Sequence, residues 1–80
     1  MPVYFFNIRR RGQIIEDEEG VELADLDAAR NEAIASVRDL AADELRSEFA
    51  VDTSDGIDVV DSDGHVLLAV TVAQAIADGA

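Results

Sequence analysis

A chain of 80 residues with 49% apolar and 30% charged residues has the composition of one folded domain and leaves no room for a second. Eighteen acids against six arginines and no lysine give a formal charge of -12, which repels nucleic-acid phosphates and anionic lipid at long range and argues against both as general partners. The chain has no cysteine, so disulfides, thiolate metal sites and thiol nucleophiles are excluded, and a small core without such staples is often completed by oligomerisation.

The first segment, Val3-Tyr4-Phe5-Phe6-Asn7-Ile8-Arg9, is aromatic and β-branched, with Tyr4, Phe6 and Ile8 on the core face of a period-two strand. Arg10-Arg11-Gly12-Gln13 supplies a turn, and Ile14 and Ile15 begin a second strand, so a β-hairpin is expected. The acids Glu16, Asp17, Glu18 and Glu19 interrupt that strand, Gly20 marks a bulge or turn, and Val21 and Leu23 form a short extended lead into a helix.

Asp25 is the expected N-cap, and Asp27 suits the positive end of the helix dipole. From Leu26, the residues Ala29, Ala33, Ile34, Val37, Leu40, Ala41 and Leu45 recur at three- and four-residue spacing and form one apolar stripe. The pattern fades near Phe49, and Asp52-Thr53-Ser54-Asp55-Gly56 reads as a loop. Two more strands, 57–60 and 65–72, flank the turn Asp61-Ser62-Asp63-Gly64, and the last, being the most hydrophobic, is expected at the centre of the sheet. Residues 73–80 add a helical turn or fray.

These elements predict an α+β fold: a two-layer ββαββ arrangement with an antiparallel sheet and one long helix packed on one face. The single domain divides into a hairpin over 1–23, a helix over 25–49, a hairpin over 57–72 and a tail over 73–80. The opposite, helix-free face carries Val3, Phe5 and Asn7 on the first strand, placing a large aromatic where no helix covers it. No stretch approaches the roughly 18 apolar residues that cross a bilayer, and a cytoplasmic location is expected.

Motifs with chemistry are few. A calcium loop aligned on Gly64 would need oxygen ligands where Val59 and Val70 stand, and the same test on Gly56 and Gly20 also fails. His65, the only histidine, lacks a second histidine or a cysteine to complete a ligand set, so no metal, cofactor or catalytic residue is assigned. Arg9, Arg10 and Arg11 are read as pairing with acids such as those of residues 16–19 and keeping an edge strand soluble. Arg30 falls within the apolar stripe, where its stem can lie along the sheet edge.

The start Met1-Pro2-Val3-Tyr4-Phe5-Phe6-Asn7-Ile8, the stretch Asp17-Glu18-Glu19-Gly20-Val21-Glu22-Leu23, the helix start Asp25-Leu26-Asp27-Ala28-Ala29-Arg30-Asn31-Glu32-Ala33 and the turn Val60-Asp61-Ser62-Asp63-Gly64 together resemble a family of short, acidic alphaproteobacterial proteins catalogued only as a domain of unknown function. The likeness spans most of the chain; where relatives commonly have proline after Leu23, this sequence has Ala24. It implies a bacterial origin and carries over no functional residue.

The leading expectation for function is a non-enzymatic protein-interaction or regulatory module, homodimeric or acting on a protein partner, that uses the helix-free face around Val3, Phe5 and Asn7 or the exposed edge of a hairpin, while Glu16, Asp17, Glu18 and Glu19 are the surface of the alternative reading. An acidic decoy for a basic protein is the alternative. A small metal-dependent or hydrolytic enzyme has the least support.

Overall fold

The computed structural model describes residues 1–46 and 52–78. In chain order the elements are β1 (Val3–Arg10), β2 (Gln13–Ile15), β3 (Val21–Glu22), α1 (Leu26–Arg46), β4 (Gly56–Val60), β5 (Val66–Thr71) and α2 (Val72–Asp78). The strands form one five-stranded antiparallel sheet in the order β2-β1-β4-β5, with β3 also paired to β1. The α+β class and the helix packed on one face are as the sequence predicts.

The first hairpin closes through Arg11 and Gly12, both at positive φ (52° and 78°), which matches the twist of the strands it joins. Ile8 faces Ile15, whereas Val3 faces Glu22. Between those registers β1 advances five residues (8 - 3) and the returning chain seven (22 - 15), so two extra residues must leave the ladder. They do so in the acidic stretch between β2 and β3, where the sequence places its interruption.

Tyr4 is buried and Phe6 and Ile8 pack against the same core, while β4 contributes the buried Ile57 and Val59. Asp25 caps α1 as expected: its Oδ1 accepts the Ala28 N–H at 2.8 Å. The stripe of α1 lies against β4 and β5, with Ala29, Ala33, Ile34 and Val37 buried. Alanine at two of those positions lets the helix approach the sheet closely, and Val37 and Val59 are fully enclosed. Each such valine contributes roughly 1.5–3 kcal/mol of transfer energy. Leu26, placed on the stripe by its spacing, is 38% exposed at the helix start, and Phe49 lies outside the described residues.

Two expectations are corrected. The last strand is not central: β5 forms an edge, and β1 and β4 occupy the middle. Hydrophobicity misplaced it because β5 has one covered face, with Val70 buried, while Val66 and Leu67 remain 60% and 40% exposed. The strand also stops at Thr71, and the chain enters α2 instead of continuing through residue 72. Thr71 and Gln74 hold that start reciprocally: Thr71 Oγ1 accepts the Gln74 N–H at 3.2 Å, and Gln74 Oε1 accepts the Thr71 N–H at 2.9 Å. Val72 and Ala75 then fill the core beside α1, and Arg38 Nε donates to the Ala75 carbonyl at 3.3 Å.

Candidate interaction surface

Strand alternation puts Val3, Phe5, Asn7 and Arg9 on the face of β1 turned away from the helices. Pairing with β4 sets Phe5 beside Val60, Asn7 beside Asp58 and Arg9 beside Gly56. The helix-free face foreseen for Val3, Phe5 and Asn7 therefore exists, but these three side chains are half-buried. The cause is the bulge between β2 and β3, which folds back over them. Gly20, at φ 73°, sits so close that a Cβ there would lie 2.7 Å from Val3 Cγ1 and 2.9 Å from Phe5 Cε1.

Asp17 organises that bulge. Its Oδ2 accepts the Phe6 N–H at 3.1 Å, and its Oδ1 accepts the N–H groups of Glu19 at 3.1 Å and Gly20 at 3.2 Å. The Asn7 side-chain oxygen in turn accepts the Asp17 N–H at 3.0 Å. Partial burial pushes the Asp17 carboxyl up, but the three backbone N–H groups outweigh it and hold the group below its usual range. Of the four acids singled out in the sequence, Asp17 is thus committed to the backbone, whereas Glu16, Glu18 and Glu19 are exposed.

At the opposite wall, Asp61 Oδ1 accepts the N–H groups of Asp63 and His65, both at 2.9 Å, and the Gly64 N–H bonds the Asp61 carbonyl at 3.1 Å. The hairpin reading of this turn holds. These bonds, the His65 backbone N–H foremost, lower the Asp61 carboxyl from its ordinary value despite some desolvation. His65 Nδ1 stands 3.5 Å from Asp61 Oδ2, and donor atoms of Asp61, Asp63 and His65 all lie within 4.8 Å of one another. The sequence reading left His65 without companions; the turn supplies two carboxylates, although one oxygen of Asp61 is already engaged by the backbone.

Between the bulge and the turn lies an open cleft of about 370 Å³ on the helix-free face. Phe5, Asn7, Asp58 and Val60 form its floor, Glu16 and Asp17 one wall, and Asp61 the other, with Ile14 and Val66 at the rim. Asp58 is the partner of Arg9, at 3.5 Å from Arg9 Nη1. Arg9 was expected to pair with the acids of the bulge; the β1–β4 register brings it to a strand 49 residues on instead, since Asp58 faces Asn7, two residues before Arg9 on the same face of β1. Arg9 Nε and Asp58 Oδ1 are both buried without a hydrogen bond.

A family model described as a domain of unknown function, DUF6894, matches residues 3–73. The chain belongs to the DUF6894 family. The matched span runs from the first residue of β1 into α2, so it takes in the bulge, both walls of the cleft and the β5 edge. No curated protein and no solved structure matches the chain. Among the described residues of this DUF6894 domain, no helix is long and apolar enough to cross a membrane.

One structural residue escaped the sequence reading. Asp55, placed in a polar loop, is 2% exposed. Its Oδ1 accepts the Arg11 N–H at 2.9 Å, and its carbonyl accepts the Val72 N–H at 2.8 Å, so it ties the first hairpin turn to the start of α2.

Proposed function

We infer that this DUF6894 domain is a protein-binding module whose helix-free cleft receives a basic, partly apolar segment of another protein. The observation that carries the reading is the composition of the cleft: an aromatic and aliphatic floor from Phe5 and Val60, with Asp58 beside them already paired with Arg9, beneath the carboxylates of Glu16, Asp17 and Asp61. An arginine or lysine side chain suits such a site, because its stem covers apolar surface while its head meets carboxylates and an aromatic ring. Asp17 and Asp61 are both held below the ordinary carboxyl range, so the walls keep their charge in mildly acidic solution.

Binding is favoured over catalysis on the same grounds. A general acid at neutral pH needs a carboxyl raised by an apolar environment, and the shifts at these two walls run the other way. His65 stands beside an acid but is 77% exposed at the outer end of the turn. Glu18 and Glu19, exposed next to the cleft, extend the negative field towards an incoming basic partner and speed its association.

The test is titration of the whole chain with a peptide alternating arginine and leucine, followed by fluorescence anisotropy at low and high salt. Binding should weaken at least about tenfold as salt rises, and both Glu16→Lys and Ile14→Ser should weaken it at low salt. A peptide that fails to bind, or binds equally well at both salt levels, contradicts the reading.

A further inference from the structure

Two carboxylates and the only histidine of the chain meet on the turn between β4 and β5. Among the described residues, Asp61, Asp63 and His65 form the one group of three metal-ligating side chains whose donor atoms all lie within 4.8 Å of one another. Acids are commonplace on the surface of a chain with 18 of them, and two alone would carry no meaning. The imidazole changes the chemistry. A nitrogen beside carboxylate oxygens is a donor set that zinc and its neighbours in the first transition row accept, whereas calcium and magnesium take oxygen.

The turn gathers these donors before any ion arrives. Asp61 Oδ1 is taken up by the N–H groups of Asp63 and His65, both at 2.9 Å, and the Asp61 N–H donates to the His65 carbonyl at 3.0 Å. That leaves Asp61 Oδ2 beside His65 Nδ1, 3.5 Å away. The separation is longer than the roughly 2.9–3.0 Å of an ordinary N–H···O hydrogen bond. It is close to the edge of about 3.4 Å between two ligands of a tetrahedral ion whose bonds are about 2.1 Å long. Asp63, exposed on the same turn, closes the triangle by rotating about its own side-chain bonds.

We propose that this turn binds a divalent transition-metal ion of the zinc class through Asp61 Oδ2, a carboxylate oxygen of Asp63 and His65 Nδ1, with water filling the remaining position. The His65 side chain is 77% exposed and that of Asp61 31% exposed, so an ion reaches the donors without any movement of the sheet and exchanges with solvent. Such a site suits a reversibly held ion rather than one that the fold requires. Asp61 also forms a wall of the cleft, and a dication cancels the charge of Asp61 and Asp63. The cleft's grip on a basic segment therefore weakens when the ion is bound, a consequence that rests on the cleft reading, whereas binding of the ion does not.

The experiment is a zinc titration of the whole, untagged chain at mildly alkaline pH, followed by calorimetry and by the imidazole proton resonances. The chain has one histidine and no cysteine, so the imidazole signal reports this site alone. One ion should bind per chain as those resonances shift, and calcium should leave them in place. His65→Ala should weaken zinc binding at least about tenfold, since loss of even an outer-shell partner of a metal costs that much. Asp63→Asn should weaken it several-fold, whereas Glu32→Gln, which alters an exposed acid on α1, should leave it unchanged. Circular dichroism should stay the same in all three variants, because each side chain is exposed. Imidazole resonances that do not move under zinc, a His65→Ala chain that binds as tightly as the wild type, or a loss in Glu32→Gln equal to that in Asp63→Asn overturns the proposal. Each result is read without a peptide, so none bears on what the cleft receives.

Discussion

The sheet has two edges of opposite design. Along β1, the returning chain is broken into three residues of β2 and two of β3 by an acidic bulge, whose Asp17 reaches back to occupy the Phe6 N–H. Along β5, six residues run without a charge, the register against β4 shifts between Val59 and Val60, and the Thr71 N–H is occupied by Gln74 at the strand end. The first edge is closed by its own side chains and forms one wall of the cleft. The second is interrupted by a bulge. A chain with 18 acids sets four of them, residues 16–19, along the first edge and none in β5, so the two borders are protected by different means: charge and a side-chain acceptor at one, a register shift and a capped end at the other.

The largest expected break in this contrast comes from Gly56, where β4 passes so close to β5 that an added Cβ would fall on the Val70 carbonyl oxygen and 2.8 Å from Thr71 Cα. Backbone cannot yield as a flexible side chain does. Gly56→Ala should therefore cost on the order of 3 kcal/mol, prising β5 and α2 from the rest, as measured by urea unfolding followed through circular dichroism. A loss below about 1 kcal/mol would mean that β4 and β5 move apart at this point with little penalty.

The next effect tests the closed edge. Asp17→Ala removes the acceptor of three backbone N–H groups and should cost on the order of 1–2 kcal/mol, discounted because the carboxylate is partly solvated. The sign with pH follows from its lowered folded value: the contribution is complete above the unfolded carboxyl range near pH 4 and fades as pH falls through the lower folded value. Thermal melts should thus show wild type and Asp17→Ala converging in acid. If the gap between them stays constant from neutral pH down to strong acid, the ionised carboxylate is not what holds the bulge.

Local signals in the sequence carried most of the fold. Arg11-Gly12, the Asp25 cap and Asp61-Ser62-Asp63-Gly64 each act within a few residues, and their structures follow from side-chain hydrogen bonding and tolerance of positive φ. The order of strands was not legible, because apolar content measures burial on one face and does not distinguish a covered edge strand from a central one. A signal for α2 was present and overlooked: Thr71-Val72-Ala73-Gln74 is a capping box, hidden by a strand-like run that passes straight into it. Asp17 was likewise readable as an acceptor for the N–H groups two and three residues on, although its reach to Phe6 depends on register. The cleft itself was not legible. Glu16 and Asp61 line the same cleft beside Asp58 only because β1 pairs with β4 across 47 to 55 residues of sequence, and no local pattern encodes that pairing.

The smallest effect bears on where β5 ends. Gln74→Ala removes one half of the capping box and should cost about 0.5–1 kcal/mol, with amide hydrogen exchange rising at Thr71 and in the first turn of α2 while Ile57 and Val59 remain protected. The exchange pattern matters more than the energy. The Thr71 N–H bonds Gln74 Oε1, so its exchange reports directly on the cap. If Gln74 acts only as the stop of β5, exchange should rise at Thr71 and spare Leu68 and Val70, which pair with β4. Faster exchange along the whole of β5 would instead show that the strand keeps its shape only while α2 is docked.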